Sequence, residues 1–136
     1  MSEAGGTPLA AKLGIKPGSR LLLVGAPALP ALDDLPPGVS RHTRPGREPY
    51  DVIVLFCPMT AVLHERFAGL VPRLAVAGAL WVGWPKKASG VRTDLTETGV
   101  REHGLATGLV DVKIAAIDAT WSGLKFVRRL SDRVSS

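Results

Sequence analysis

A single cysteine, Cys57, stands in 136 residues, so a disulfide framework is excluded by counting. The histidines are as sparse: His42, His64 and His103 lie far apart with no second soft ligand beside any of them, which removes structural zinc and leaves no metal expected. Aromatics make up only 5% of the chain against 46% apolar residues in all, so the core must be aliphatic. A chain of this size buries roughly two-thirds of its unfolded surface without staples, as one domain. No apolar run approaches the ~20 residues of a membrane span, and residues 1–7, MSEAGGT, lack the basic start and apolar core of a signal peptide. The expectation is a soluble cytoplasmic protein with no membrane partner. Acidic side chains are fewer than basic ones, 12 against 17, for a net charge of +5, but the excess is spread along the chain. Such a balance gives weak attraction to phosphates or nucleic acid without the dense Lys/Arg run of a dedicated nucleic-acid binder.

What the chain does contain is a series of apolar runs with turn residues between them. Thr7-Pro8 before Leu9, Leu13 and Ile15 reads as a short helix ending near Gly14. Leu21–Gly25, Tyr50–Phe56 and Ala79–Trp84 are continuous apolar runs, the pattern of parallel strands buried on both faces. Six prolines in residues 26–49 leave room there only for a short edge strand at Val39–His42. Met59, Val62, Leu63, Phe67, Leu70, Val71 and Leu74 fall at helical spacing, with Pro72 bending the last turn and Gly78 as the expected end. Asp94 with Glu97 makes a capping box for a second helix through about Leu105. The alternation in Val110–Ala116 and the β character of Leu124–Leu130, joined by the short Ala119–Gly123, predict an antiparallel hairpin. The fold class is α/β: a Rossmann-like three-layer sandwich whose mostly parallel sheet ends in that hairpin. Residues 8–130 form the single domain, with 1–7 and 131–136 expected to be disordered.

The most informative stretch is ALWVGWPKKASG, Ala79–Gly90, where a buried strand runs into a basic, glycine-punctuated loop ahead of a helix start at Thr93-Asp94. Open α/β sheets build anion sites in this way, because backbone N–H groups at a helix N-terminus and nearby lysines favour negative charge. With the hairpin turn at the same sheet edge, the expected cleft gathers Gly25-Ala26-Pro27, Cys57-Pro58, Lys86, Lys87, Ser89, Gly90 and Trp121-Ser122-Gly123. Trp84 is expected at its floor, and Trp81, three positions earlier, on the opposite sheet face in the core. Trp121 either stacks a base or folds back on the sheet. Cys57, between a strand and a helix, is read as a small buried residue before a nucleophile. Asp51 sits at the far edge as a structural group. Asp118 orients a lysine or bonds its own turn.

Strand, helix, strand with a basic turn, helix and antiparallel hairpin together resemble the second half of the S-adenosylmethionine-dependent methyltransferase fold, whose seventh strand inserts antiparallel beside the fifth. KLGIKPG (12–18), YDVIVLF (50–56), LWVGWPKKASGVRTDLTE (80–97), GLVDVKIAAID (108–118) and TWSGLKFVRR (120–129) are similar to a family of short bacterial proteins of unassigned function, with WPKKASG and TWSGLKF as signatures. The methyltransferase resemblance implies a Gly-rich turn after strand one and a carboxylate closing strand two. Here the first turn is GAPALP with one glycine, and VSRH ends in Arg41-His42. The reading is a truncated, degenerate relative with no cofactor and no assigned catalytic residue.

Two classes of function follow. One is a non-catalytic binding or regulatory module that holds an anionic small molecule or nucleotide. The other is a small enzyme, methyltransferase-like or acting on a phosphorylated or carboxylated substrate, with Lys86 or Lys87 stabilising charge and Ser89 or Cys57 reacting. Weak nucleic-acid binding through Arg128, Arg129, Arg133 and the lysine loop is a third reading, and a homodimer through the edge of the hairpin is compatible with each.

Overall fold

The structure, a computed structural model, describes residues 7–133. Its elements are α1 (Leu9–Leu13), β1 (Arg20–Val24), β2 (Ser40–His42), β3 (Tyr50–Phe56), α2 (Thr60–Leu70), β4 (Leu74–Pro85), α3 (Glu97–Ala106), β5 (Leu109–Ala116), β6 (Trp121–Arg128) and α4 (Leu130–Arg133). The expected disordered ends lie mostly outside the described residues, although α4 occupies the start of the second. Among the described residues no helix is long and apolar enough to cross a membrane.

Six strands form one sheet in the order β2-β1-β3-β4-β6-β5. β1 through β4 pair in parallel, and β6 runs antiparallel between β4 and β5, so β5 points the same way as the first four. This is a Rossmann-like α/β architecture of the methyltransferase type, mostly parallel with an antiparallel end. The runs LLLV and VIVLF become central strands because nearly every side chain is covered on both faces. On one face Leu22, Ile53, Leu55, Val82 and Phe126 meet the inner residues of α2 and α3, Leu63, Phe67 and Val100. On the other, Leu21, Val54, Phe56 and Trp81 form a core with Leu9, Leu13 and Leu32. Trp81 is fully buried there and donates its indole N–H to the Leu13 carbonyl oxygen at 3.1 Å, tying α1 to the middle of the sheet.

Two boundaries differ from the sequence expectation. The helix expected to run on to Gly78 stops at Leu70, followed by a 3-10 turn over Val71–Arg73, and Leu74 already pairs with Tyr50. Pro72 cannot supply the N–H that would continue the helix, and Arg128 locks the exit by donating to the carbonyl oxygens of Val71 and Leu74 at 2.9 and 2.7 Å. The register shift between Tyr50 and Val52 absorbs residues 75–78, and a Cβ on Gly78 would sit 2.9 Å from the Tyr50 carbonyl oxygen. The second difference is the start of α3. Thr96, not Asp94, caps it, accepting from the Gly99 amide at 3.0 Å. Asp94 instead reaches back 34 residues to accept the Thr60 amide at 2.7 Å, capping α2, whose own N-cap residue Met59 has no side chain to do so.

Candidate functional site

The carboxyl ends of β1, β3, β4 and β5 share one sheet edge, which is where open α/β sheets bind ligands. The hairpin brings TWSG beside the lysine loop: Trp84 pairs with Ser122, Pro85 with Trp121, and the Lys86 amide donates to the Thr120 carbonyl oxygen at 2.8 Å. The juxtaposition is made, and the Ser89 side chain serves the turn. Residues Lys87–Ser89 form a 3-10 turn that Gly90 closes in the left-handed region at φ 78°, a conformation an L side chain resists. The Ser89 hydroxyl donates to the Lys86 carbonyl oxygen at 2.6 Å and accepts from the Val91 amide at 3.1 Å, which uses it inside the loop. The expected helix N-terminus is not next to Gly90 either, since α3 begins only at Glu97 with its first turn capped by Thr96.

The other expected site residues follow the same pattern. Trp84 is buried in the α2/α3-side core rather than at a cleft floor. Trp121 folds back, its ring edge-on to Phe56 at 5.2 Å. Gly123 is buried, and a Cβ there would press on Ile117 and Trp81 at 3.1 Å, so this glycine makes room for the core. Asp118 accepts the Thr120 and Trp121 amides, both at 2.8 Å, as the group that closes the hairpin. Asp51, at the amino edge, accepts the Arg20 amide. Cys57 is fully buried, and burial pushes its thiol up to about 12 against the opposing pull of Arg66, so it holds no thiolate near neutral pH.

A cleft of about 400 Å³ does open at this edge, but further along the sheet, lined by Val24, Gly25, Thr43, Arg44, Phe56, Pro58, Val62 and Arg66. It lies over the ends of β1 and β3, where the strand order reverses from β1-β2 to β1-β3, the topological switch point. Gly25 leaves β1 at φ 70°, and a Cβ there would come 3.3 Å from the Phe56 carbonyl oxygen, so the turn stays low and the cleft open. Arg44 follows β2 and Arg66 lies on α2 one turn after Val62. Neither guanidinium forms a salt bridge with a carboxylate among the described residues, and no Asp or Glu lines the cleft. Gly25 and Pro58 were expected in a cleft here; Thr43, Arg44 and Arg66 were not.

A second cleft, of about 350 Å³, lies between α2 and α3 and is lined by His64, Asp94, Glu102 and His103, with Thr60, Leu63 and Thr96. The rings of His64 and His103 stack at 4.6 Å, 13° from parallel. Burial and then the neighbouring His64 hold the His103 imidazole below its ordinary value of 6.5. Above that value His103 is neutral folded or unfolded and its contribution is intact. As pH falls through it, the unfolded chain takes up the proton first and stability declines. The urea midpoint is therefore expected to be lower at pH 5.5 than at 7.5, with a smaller difference in His103→Gln. Asp94 and Asp111, whose carboxyls hydrogen bonds hold below 3.8, act only in more acid solution. A midpoint that does not move between these pH values would contradict the assignment.

No family model matches the chain, and no curated protein matches it. Solved structures do. A SAM-dependent methyltransferase from Aquifex aeolicus superposes with a TM-score of 0.62 at 15% identity, covering 87% of this chain and 86% of that one. Precorrin-6y C5,15-methyltransferase from Geobacter metallireducens gives 0.61 at 10% identity, covering 89% and 86%. The ribosomal protein L11 methylase of Lactobacillus delbrueckii gives 0.56 at 12% identity, covering 89% and 75%. These likenesses show the fold.

Proposed function

We propose that the chain is a non-catalytic binding module that holds a small anionic ligand, a nucleotide or another phosphate- or carboxylate-bearing molecule, in the switch-point cleft. The observation that carries this reading is that Arg44 and Arg66 line one cleft whose lining holds no carboxylate. Two guanidiniums lining one cleft can recognise phosphate or carboxylate through charge-assisted bonds. The same pair argues against S-adenosylmethionine, whose sulfonium cation would be placed among guanidiniums, at a β2 end that offers Thr43 and Arg44 in place of an acid. Catalysis has little to work with. The cleft's lining holds no His, Asp, Glu, Cys or Lys to serve as base or nucleophile, and the adjacent Cys57 thiol is held protonated.

Thermal unfolding in the presence of inorganic pyrophosphate, AMP, ATP and S-adenosylmethionine tests the reading. A ligand at a hundred times its dissociation constant adds ~2.7 kcal/mol, which raises the Tm of a domain this size by roughly 8 °C. Such a rise is expected for a phosphate-bearing compound on the wild type and its loss in Arg44→Gln with Arg66→Gln. A rise with S-adenosylmethionine alone would overturn the proposal.

A further inference from the structure

α1 is only five residues long and covers the sheet face mainly over β1, β3 and Trp81. Beyond it, toward the hairpin, the same face carries Lys125 on β6, directly opposite Trp81 on one side and Lys113 on the other. Lysines facing each other across neighbouring strands repel, because their Cβ atoms are only about 5 Å apart. Lys16, just after α1, adds a third positive charge to this group, and none of the three forms a salt bridge among the described residues. Burial first, then Lys113 and Lys16, hold the Lys125 ammonium below the ordinary lysine value. Arg128, by contrast, donates to the Val71 and Leu74 carbonyl oxygens.

We propose that Lys16, Lys113 and Lys125 form a binding face for the phosphate backbone of single-stranded nucleic acid. A like-charge group set on paired strands costs stability and is relieved when phosphates neutralise it. The lysines stand on an open sheet face rather than inside a cleft, which suits an extended strand better than a small enclosed anion. Partly buried apolar side chains on the same face, Val127 along the strand and Ala115 on the neighbouring one, flank Lys125 and leave an apolar strip between the charges. The chain's +5 charge favours the encounter.

The test is fluorescence anisotropy of a labelled 20-nucleotide oligothymidylate across a range of salt. Three phosphate contacts give a slope of log K on log salt near −2, and losing two of them reduces it to about −0.7. Lys113→Gln with Lys125→Gln is expected to show that reduction and to bind at least about 10-fold more weakly at low salt. Its Tm without oligonucleotide should equal or exceed the wild type's, because the repulsion is gone, so lost binding cannot be ascribed to misfolding. Arg47→Gln with Arg92→Gln, which removes the same charge from exposed residues outside this face and outside the cleft lining, should bind the oligonucleotide as the wild type does. Unchanged affinity in the lysine variant would overturn the proposal. So would duplex DNA or tripolyphosphate competing as well as the oligonucleotide at equal phosphate concentration.

Discussion

Trp81→Ala is expected to remove a large part of the stability of this domain. The indole is fully buried on the α1 side of the sheet, and truncating a buried tryptophan costs about 3–5 kcal/mol through lost burial and the cavity left behind. The Leu13 carbonyl oxygen also loses its donor, which loosens α1, a short helix otherwise held by the packing of Leu9, Ala10 and Leu13 and whose Pro8 cap provides no side-chain bond. Against a typical total of 5–15 kcal/mol, a loss of that size leaves a domain marginal at room temperature. Trp81→Phe narrows the comparison, since it removes the N–H and keeps most of the apolar volume while giving up the smaller ring of the indole; its cost should be about 1–3 kcal/mol. Urea denaturation of both variants gives the comparison. Equal costs for the two, or a cost under ~1 kcal/mol for alanine, would mean that Trp81 does not anchor α1.

Gly104→Ala should also destabilise, although helix propensity points the other way. In an exposed helix interior, exchanging glycine for alanine gains about 1 kcal/mol. Gly104 is buried in α3, however, and a Cβ there would run into the ring of Phe126 on β6. Phe126 cannot retreat, because it is itself fully buried and edge-on to Phe67 at 5.5 Å. The methyl must therefore lift α3 from the sheet, at a cost of about 1–3 kcal/mol, enough to reverse the propensity gain. Gly69→Ala is the control, since it lies on α2 with nothing within 4 Å of an added Cβ, and it should be neutral or stabilising. The measurement is the difference in urea midpoint between the two. Stabilisation by both substitutions would show that α3 does not pack as closely on β6 as the structure places it.

Much of the architecture was legible because apolar runs and turn residues agree with the tertiary fold. LLLV, VIVLF and LWVGW had to be interior strands, and a connection too short for a crossover had to make β5 and β6 antiparallel. Where local signals were degenerate, the tertiary structure decided. LAVAG extends a helical pattern as well as a strand, and only Pro72 with the Arg128 contacts sets the boundary at Leu74. In TDLTE both Asp94 and Thr96 are competent caps, and the uncapped Thr60 amide recruits the first, leaving the second for α3.

The site was harder to read for a related reason. Lysines, a serine and glycines in a loop look alike whether they bind an anion or complete a turn; the Ser89 hydroxyl bonds within its own loop, and Gly123 yields space to Ile117 and Trp81. Arg44 and Arg66 are separated by a whole strand and half a helix, and only the β2-β1-β3 order places them on one cleft. The nearest sequence signal was the missing carboxylate after β2, which says what is absent without naming the cation two residues later.

Amide chemical-shift mapping of the labelled protein during a pyrophosphate titration locates the anion site residue by residue. Saturable shifts concentrated at Gly25, Thr43, Arg44 and Arg66, with Lys87–Gly90 nearly still, are the expected result. Shifts centred on the Lys86–Gly90 loop and the β5–β6 turn, with the switch-point residues unmoved, would contradict it.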